Sequence, residues 1–133
     1  MKLSRKGEYA CLALLHLSEV YNQNLATITE ISEVKKIPKK YLEQILLQLK
    51  GAGYVKSIRG ANGGYKLSKS PDNISLAEIV RLIDGPIAPV ESASVFFYES
   101  TPVEQSEKLL EVLKDVRRMV SDKLEATKFS DLI

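Results

Sequence analysis

The chain has 133 residues, 44% apolar and 27% charged with only 7 Gly and 5 Pro, which excludes whole-chain disorder and collagen-like repeats and allows one core with an appendage. One cysteine excludes an internal disulfide and any multi-cysteine metal site within a single chain. No apolar run reaches the roughly 18 residues of a membrane span and the start is not of signal-peptide type, so a soluble cytoplasmic protein is expected.

The net charge of +2 conceals two opposed halves. Residues 1–70 carry 12 Lys+Arg against 5 Glu, a balance of +7, whereas residues 71–133 carry 7 Lys+Arg against 12 Asp+Glu, a balance of −5. A basic front suits a polyanion, although a solvated lysine face has the same composition.

In chain order, Ser4 is a candidate cap for a first helix over about Arg5–Tyr21, with Tyr9, Leu12, Ala13, Leu17 and Val20 at helical spacing. Capping boxes, in which Ser or Thr and a Glu three residues on satisfy each other's orphan amides, are predicted at Thr27/Glu30, Ser75/Glu78 and Thr101/Glu104. They open helices over about Ile28–Lys35, Leu76–Ile83 and Pro102–Ala126, and a further helix runs from Pro38 to near Gly51. Tyr54–Arg59 and Tyr65–Leu67 read as strands. Gly60-Ala61-Asn62-Gly63-Gly64 lies between them, and its Asn-Gly step, tolerant of positive φ, predicts a hairpin. The connector Gly85–Ser100 holds Val95-Phe96-Phe97-Tyr98, aromatics expected to pack. The expected organisation is a DNA-binding domain over 1–84, a connector over 85–100, and a dimerisation helix with tail over 101–133.

Helix, short helix, turn, helix and hairpin is the order of a winged helix-turn-helix, so the expected fold is mainly α with a small β-hairpin wing and a long C-terminal helix. Leu42, Ile45, Leu46 and Leu49 share an arc of about 100° on the recognition helix, leaving Lys39, Lys40, Glu43, Gln44 and Leu47 on the other side. Lysines there suit phosphates or guanine edges, Gln44 suits adenine, and Glu43 suits the cytosine amino group. A carboxylate beside phosphates weakens grip, so Glu43 points to specificity; a solvated Glu–Lys face is the plain alternative. Arg59 at the wing tip suits a narrow minor groove, with Gly60 letting the backbone come close. The glycines do not form a phosphate loop, since no Gly-Lys-Ser/Thr and no helix follow. Leu109, Leu113, Val116, Val120 and Leu124 recur at spacings of four and three along a helix of about 37 Å. That seam is expected to pair with its copy in a homodimer, with packing onto the first helix as the alternative. Double-stranded DNA is thus the expected partner, read as a pseudo-palindromic operator, and no membrane is involved.

Three stretches carry a resemblance: Lys2–Ala10, Tyr41-Leu42-Glu43-Gln44, and Val55–Tyr65. Together they resemble the bacterial Rrf-two family of homodimeric winged-helix transcription regulators, which includes iron–sulfur cluster regulators and cysteine-metabolism repressors. The resemblance implies Tyr41, Glu43 and Gln44 on the recognition helix at the DNA, and Arg59 and Gly60 at the minor groove. Lys39 and Lys40 rest on charge alone. Cluster-binding members carry three cysteines in the connector, and this chain has none between Asp84 and Lys108. It resembles the cysteine-free branch, which implies control by a regulatory partner protein, no cofactor, and repression of transcription. The remaining candidates for a redox or metal-cluster sensor are Glu8, Cys11 and His16, all on the first helix. A protein-interaction module built on the long helix is a further alternative. No nucleophile–base pair supports an enzyme.

Overall fold

The computed structural model describes all 133 residues, and the winged helix-turn-helix order is present in it. Helix α1 (Arg5–Glu19) starts on Ser4, whose hydroxyl accepts the Gly7 amide at 2.9 Å. Its buried stripe, Ala10, Ala13, Leu14 and Leu17, forms the middle of the core. Helix α2 (Ile28–Lys35) starts on Thr27, which accepts the Glu30 amide at 3.1 Å. The capping box there is only half formed, because the Glu30 carboxylate turns to His16 instead of the cap backbone.

The turn between α2 and α3 is tight. Lys36 adopts left-handed geometry (φ 55°), and the Ile37 amide reaches back to the Ser32 carbonyl at 3.0 Å. Ser32 Oγ donates to the Ile37 carbonyl at 2.6 Å, and Ile37 itself is buried. Helix α3 spans Lys39–Gly51, one residue later than the sequence implies, because Pro38 stays extended (ψ 130°) in the cap position. Leu42, Ile45, Leu46 and Leu49 are the buried side of α3, as their spacing predicts.

Strands β1 (Val55–Ile58) and β2 (Gly64–Leu67) pair antiparallel, with Lys56 opposite Lys66 and Ser57 opposite Tyr65. Ala26 pairs with Tyr65 on the other edge of β2 and joins the tip end of the hairpin to the start of α2. The hairpin is present, but not as an Asn-Gly turn. The Gly63 amide closes on the Gly60 carbonyl at 3.0 Å, so Ala61 and Asn62 are the central residues, and the positive φ of 115° falls on Gly60.

Helix α4 (Leu76–Asp84) carries the one complete Ser/Glu capping box, Ser75 and Glu78. The box predicted at Thr101/Glu104 is absent. Thr101 bonds the Ser92 hydroxyl at 2.6 Å, and Glu104 accepts from Tyr98 and Ser100. A 3-10 turn occupies Pro102–Gln105, and α5 runs from Glu107 to Ala126, capped by Ser106. Its 20 residues span about 30 Å, a turn shorter than expected. The connector aromatics do not enter the core: Val95, Phe96, Phe97 and Tyr98 are exposed, and Phe96 lies against the Arg81 guanidinium, 5.2 Å from the ring centroid.

After α5 the tail returns to the first domain. Leu76 donates to the Thr127 carbonyl at 2.8 Å, Phe129 donates to the Ile74 carbonyl at 3.0 Å, and the Phe129 ring is completely buried in the core. The main core therefore draws on residues from position 10 to position 129, and the winged unit is incomplete at residue 84.

Candidate nucleic-acid interface

Burying one side of α3 leaves the other to solvent. Lys39, Lys40, Tyr41, Glu43, Gln44 and Leu47 are all exposed, and Lys39, Lys40, Glu43 and Gln44 make no hydrogen bond or ion pair within the protein. Their polar groups are thus available without breaking a hydrogen bond or an ion pair. Gln48 Nε2 donates to the Leu82 carbonyl at 3.2 Å and ties α3 to α4.

Tyr41 differs from its neighbours in having support. The Tyr9 ring of α1 lies 5.8 Å away between centroids at 43°, and Lys40 Nζ stands 5.2 Å from the Tyr41 centroid. Aromatic contact of this kind holds a ring beyond what area alone supplies. Tyr9 was legible only as a core residue of the first helix; nothing in the spacing showed that its ring would meet Tyr41.

Arg59 and Gly60 stand exposed at the wing tip, and Arg59 has no carboxylate partner. At Gly63 a Cβ would lie 2.1 Å from the Ile58 carbonyl oxygen, so only glycine fits under the tip. Lys50 Nζ donates to Ser57 Oγ at 2.8 Å and fixes the wing against the end of α3. An open cleft of about 390 Å³ lies among Thr27, Lys50, Ser57, Arg59 and Gly60.

Further from this face, Tyr54 Oη donates to Glu78 Oε1 at 3.1 Å. Burial and the adjacent Glu78 charge raise the Tyr54 hydroxyl above its ordinary pKa. Burial pulls Glu78 upward, but the Ser75 amide and hydroxyl, the Tyr54 hydroxyl and Lys69 outweigh it, and its pKa is lowered.

The five seam residues of α5 do not share one environment. Val120 and Leu124 pack inside the protomer against Ala77, Val80 and Ile87. Leu109 and Val116 are exposed, together with Val112 and Met119, while Leu113 is half-buried. The outward stripe is therefore Leu109, Val112, Val116 and Met119, at spacings of three, four and three. Only two of these four, Leu109 and Val116, belong to the seam that spacing predicts, because the helix has an inner and an outer side where spacing implies one continuous seam.

Glu8, Cys11 and His16 are not brought together. Glu8 is exposed and pairs with Arg5 at 3.2 Å. The buried His16 ring meets Glu30 through Nε2 at 2.7 Å. Cys11 is half-buried, and burial with the nearby Asp84 charge pushes its thiol up to about 11. Asp84, the last residue of α4, holds the first turn of α1. It accepts the Ser4 amide at 2.9 Å and the Ser4 hydroxyl, and a Cβ on Gly7 would lie 2.5 Å from its Oδ2.

An exposed recognition helix beside a glycine-tipped wing defines a winged helix-turn-helix DNA-binding protein. The model of the family described as Rrf2, iron-dependent transcriptional regulator, matches residues 3–133, and the chain belongs to that family. It is 34% identical over 132 residues to the HTH-type transcriptional regulator CymR of Bacillus subtilis, covering 99% of this chain and 89% of that one. The solved structure of CymR, the global cysteine regulator of B. subtilis, aligns with a TM-score of 0.79 at 34% identity over 99% of this chain and 95% of the other. T. potens IscR aligns with a TM-score of 0.76 at 26% identity, over 99% and 85%. The protein is a DNA-binding transcriptional regulator, and its relatives are regulators rather than enzymes. None of its helices is long and apolar enough to cross a membrane.

The family description implies iron, and the donor set of this chain does not fit it. The connector offers no thiol, the one cysteine lies in α1 with its thiolate disfavoured, and no three His, Cys, Asp or Glu side chains converge in the protomer.

Proposed function

We propose that the protein acts as a homodimeric repressor that reads a pseudo-palindromic operator. In each half-site α3 enters the major groove and the wing enters the adjacent minor groove. Lys39 and Lys40 neutralise phosphates at the start of α3, Gln44 pairs with adenine, and Glu43 accepts from a cytosine amino group. Tyr41 contacts the groove wall on a ring steadied by Tyr9. Arg59 enters the minor groove, and Gly60 lets the backbone follow. The observation that carries this reading is the combination of unpaired polar groups on the outer side of α3 with an unpaired arginine at the wing tip.

Dimerisation is supported by Leu109, Val112, Val116 and Met119, which are 42–74% exposed at heptad-like spacing. Two-fold symmetry then places the half-sites one helical turn, or a multiple of it, apart. A regulatory partner protein supplies the signal in this reading, since the chain lacks a cluster donor set and its connector displays Phe96 and Phe97. Selection of bound sequences from random duplexes tests the operator. Enrichment of a two-fold symmetric motif is the expected result, and enrichment of none overturns the reading.

A further inference from the structure

We propose that the outer side of the wing is a second DNA contact, a phosphate-binding groove centred on Lys56 and Lys66. The proposal rests on the DNA-binding geometry above and extends it to residues outside the recognition helix and wing tip.

The two lysines stand directly opposite each other across the antiparallel pair, and both are exposed. Like charges in that position repel at side-chain separations of roughly 5 Å and destabilise a hairpin. Neither ammonium has a hydrogen bond or a carboxylate partner. Strand alternation sends Val55 and Leu67 into the core, so Lys56 and Lys66 necessarily point the other way. There they border an open groove of about 460 Å³ whose far wall is the segment between α1 and α2. That wall presents Asn22, Gln23 and Asn24, and no acidic side chain lines the groove. Asn22 holds a positive φ of 60°, which keeps the segment tightly turned beside the strands.

Two cations, neutral amide donors and no anion make a surface complementary to a phosphodiester backbone. The groove lies on the hairpin that carries Arg59. With the tip in a minor groove, its outer side faces the duplex beyond the half-site. Phosphates there relieve the cross-strand repulsion that folding alone leaves unbalanced. The alternative occupant of such a groove is an acidic polypeptide.

The test pairs the Lys56→Gln/Lys66→Gln double variant of the full chain with a control, Lys108→Gln/Lys114→Gln, which removes the same charge from α5. Binding to a selected operator duplex is measured from 50 to 200 mM salt, with long and with trimmed outer flanks. Each lost phosphate contact makes the log–log salt slope shallower by about 0.9, so the wing variant is expected to lose about 1.8 per bound protomer and the control close to none. Trimming the flanks is expected to weaken the wild type by about tenfold and the wing variant by less than about twofold. Without DNA, the wing variant is expected to melt no lower than the wild type, since a repulsive pair has been removed. An unchanged slope and flank dependence in the wing variant overturns the proposal and leaves the groove to an acidic polypeptide. Equal changes in both variants also overturn it, as an effect of net charge. Wild type without salt-dependent duplex binding overturns the interface reading itself.

Discussion

Cys11 shows how position decides what a residue type can do. A lone thiol in a transcription regulator invites a redox reading, yet burial and Asp84 raise its pKa to about 11. At pH 8 about one thiol in a thousand is then ionised, and the thiolate is the reactive species. Iodoacetamide is expected to leave the native protein unmodified over hours at pH 8 and to alkylate Cys11 once the chain is unfolded in urea, as followed by mass spectrometry. At the interface, Arg59 on the wing and Glu43 on the recognition helix should separate grip from choice. Arg59→Ala is expected to weaken binding to all operator variants together. Glu43→Ala is expected to relax preference at one half-site position by about 1–3 kcal/mol, read from competition among single-base variants.

Elements meet through a few bonds that sequence patterns mark only in part. The Ser75/Glu78 capping box also receives the Tyr54 hydroxyl, so it links the start of α4 to the residue before β1. Because the Glu78 pKa is lowered on folding, its ionised form stabilises the protein at pH values above the unfolded carboxylate range. That contribution is lost as pH falls through the depressed folded value. The stability difference between the wild type and Glu78→Gln is therefore expected to be largest near neutral pH and to shrink on acidification, measured by urea unfolding from pH 7 to pH 3. The tail provides a second case. Phe129 is fully buried, and Phe129→Ala is expected to cost about 3–5 kcal/mol of unfolding free energy. A chain ending at residue 84 is correspondingly expected to lack the cooperative unfolding transition of the whole.

For the molecule as a whole, the exposed stripe on α5 is the surface on which the proposed homodimer rests. Val116→Glu with Met119→Glu is expected to convert a dimer of about twice 14.8 kDa into monomer by light scattering. Affinity for the two-half-site operator should fall with it, while the circular dichroism of the protomer is retained. Val120→Glu is expected to unfold the α4–α5 contact instead, because that side chain faces inward.

Much of this was legible from residue order. Helix starts at Ser4, Thr27 and Ser75, the buried side of α3, the hairpin and the division of charge all depend on local periodicity and capping, which act within a few residues. The Thr101/Glu104 motif misled because its side chains found Ser92, Tyr98 and Ser100 as other partners, and a capping box has no force once its members are engaged elsewhere. The exposed polar side of α3 and the glycine-tipped wing follow from sequence alone, because spacing fixes which side of a helix is buried and glycine fixes where the backbone can turn. Tertiary structure alone decided that Tyr9 supports Tyr41, that α5 divides into inner and outer stripes, and that Phe129 closes a core begun more than a hundred residues earlier. Those are pairings between distant segments, set by which surfaces remain to be covered after the local elements have formed, and no periodicity within one segment encodes its partner.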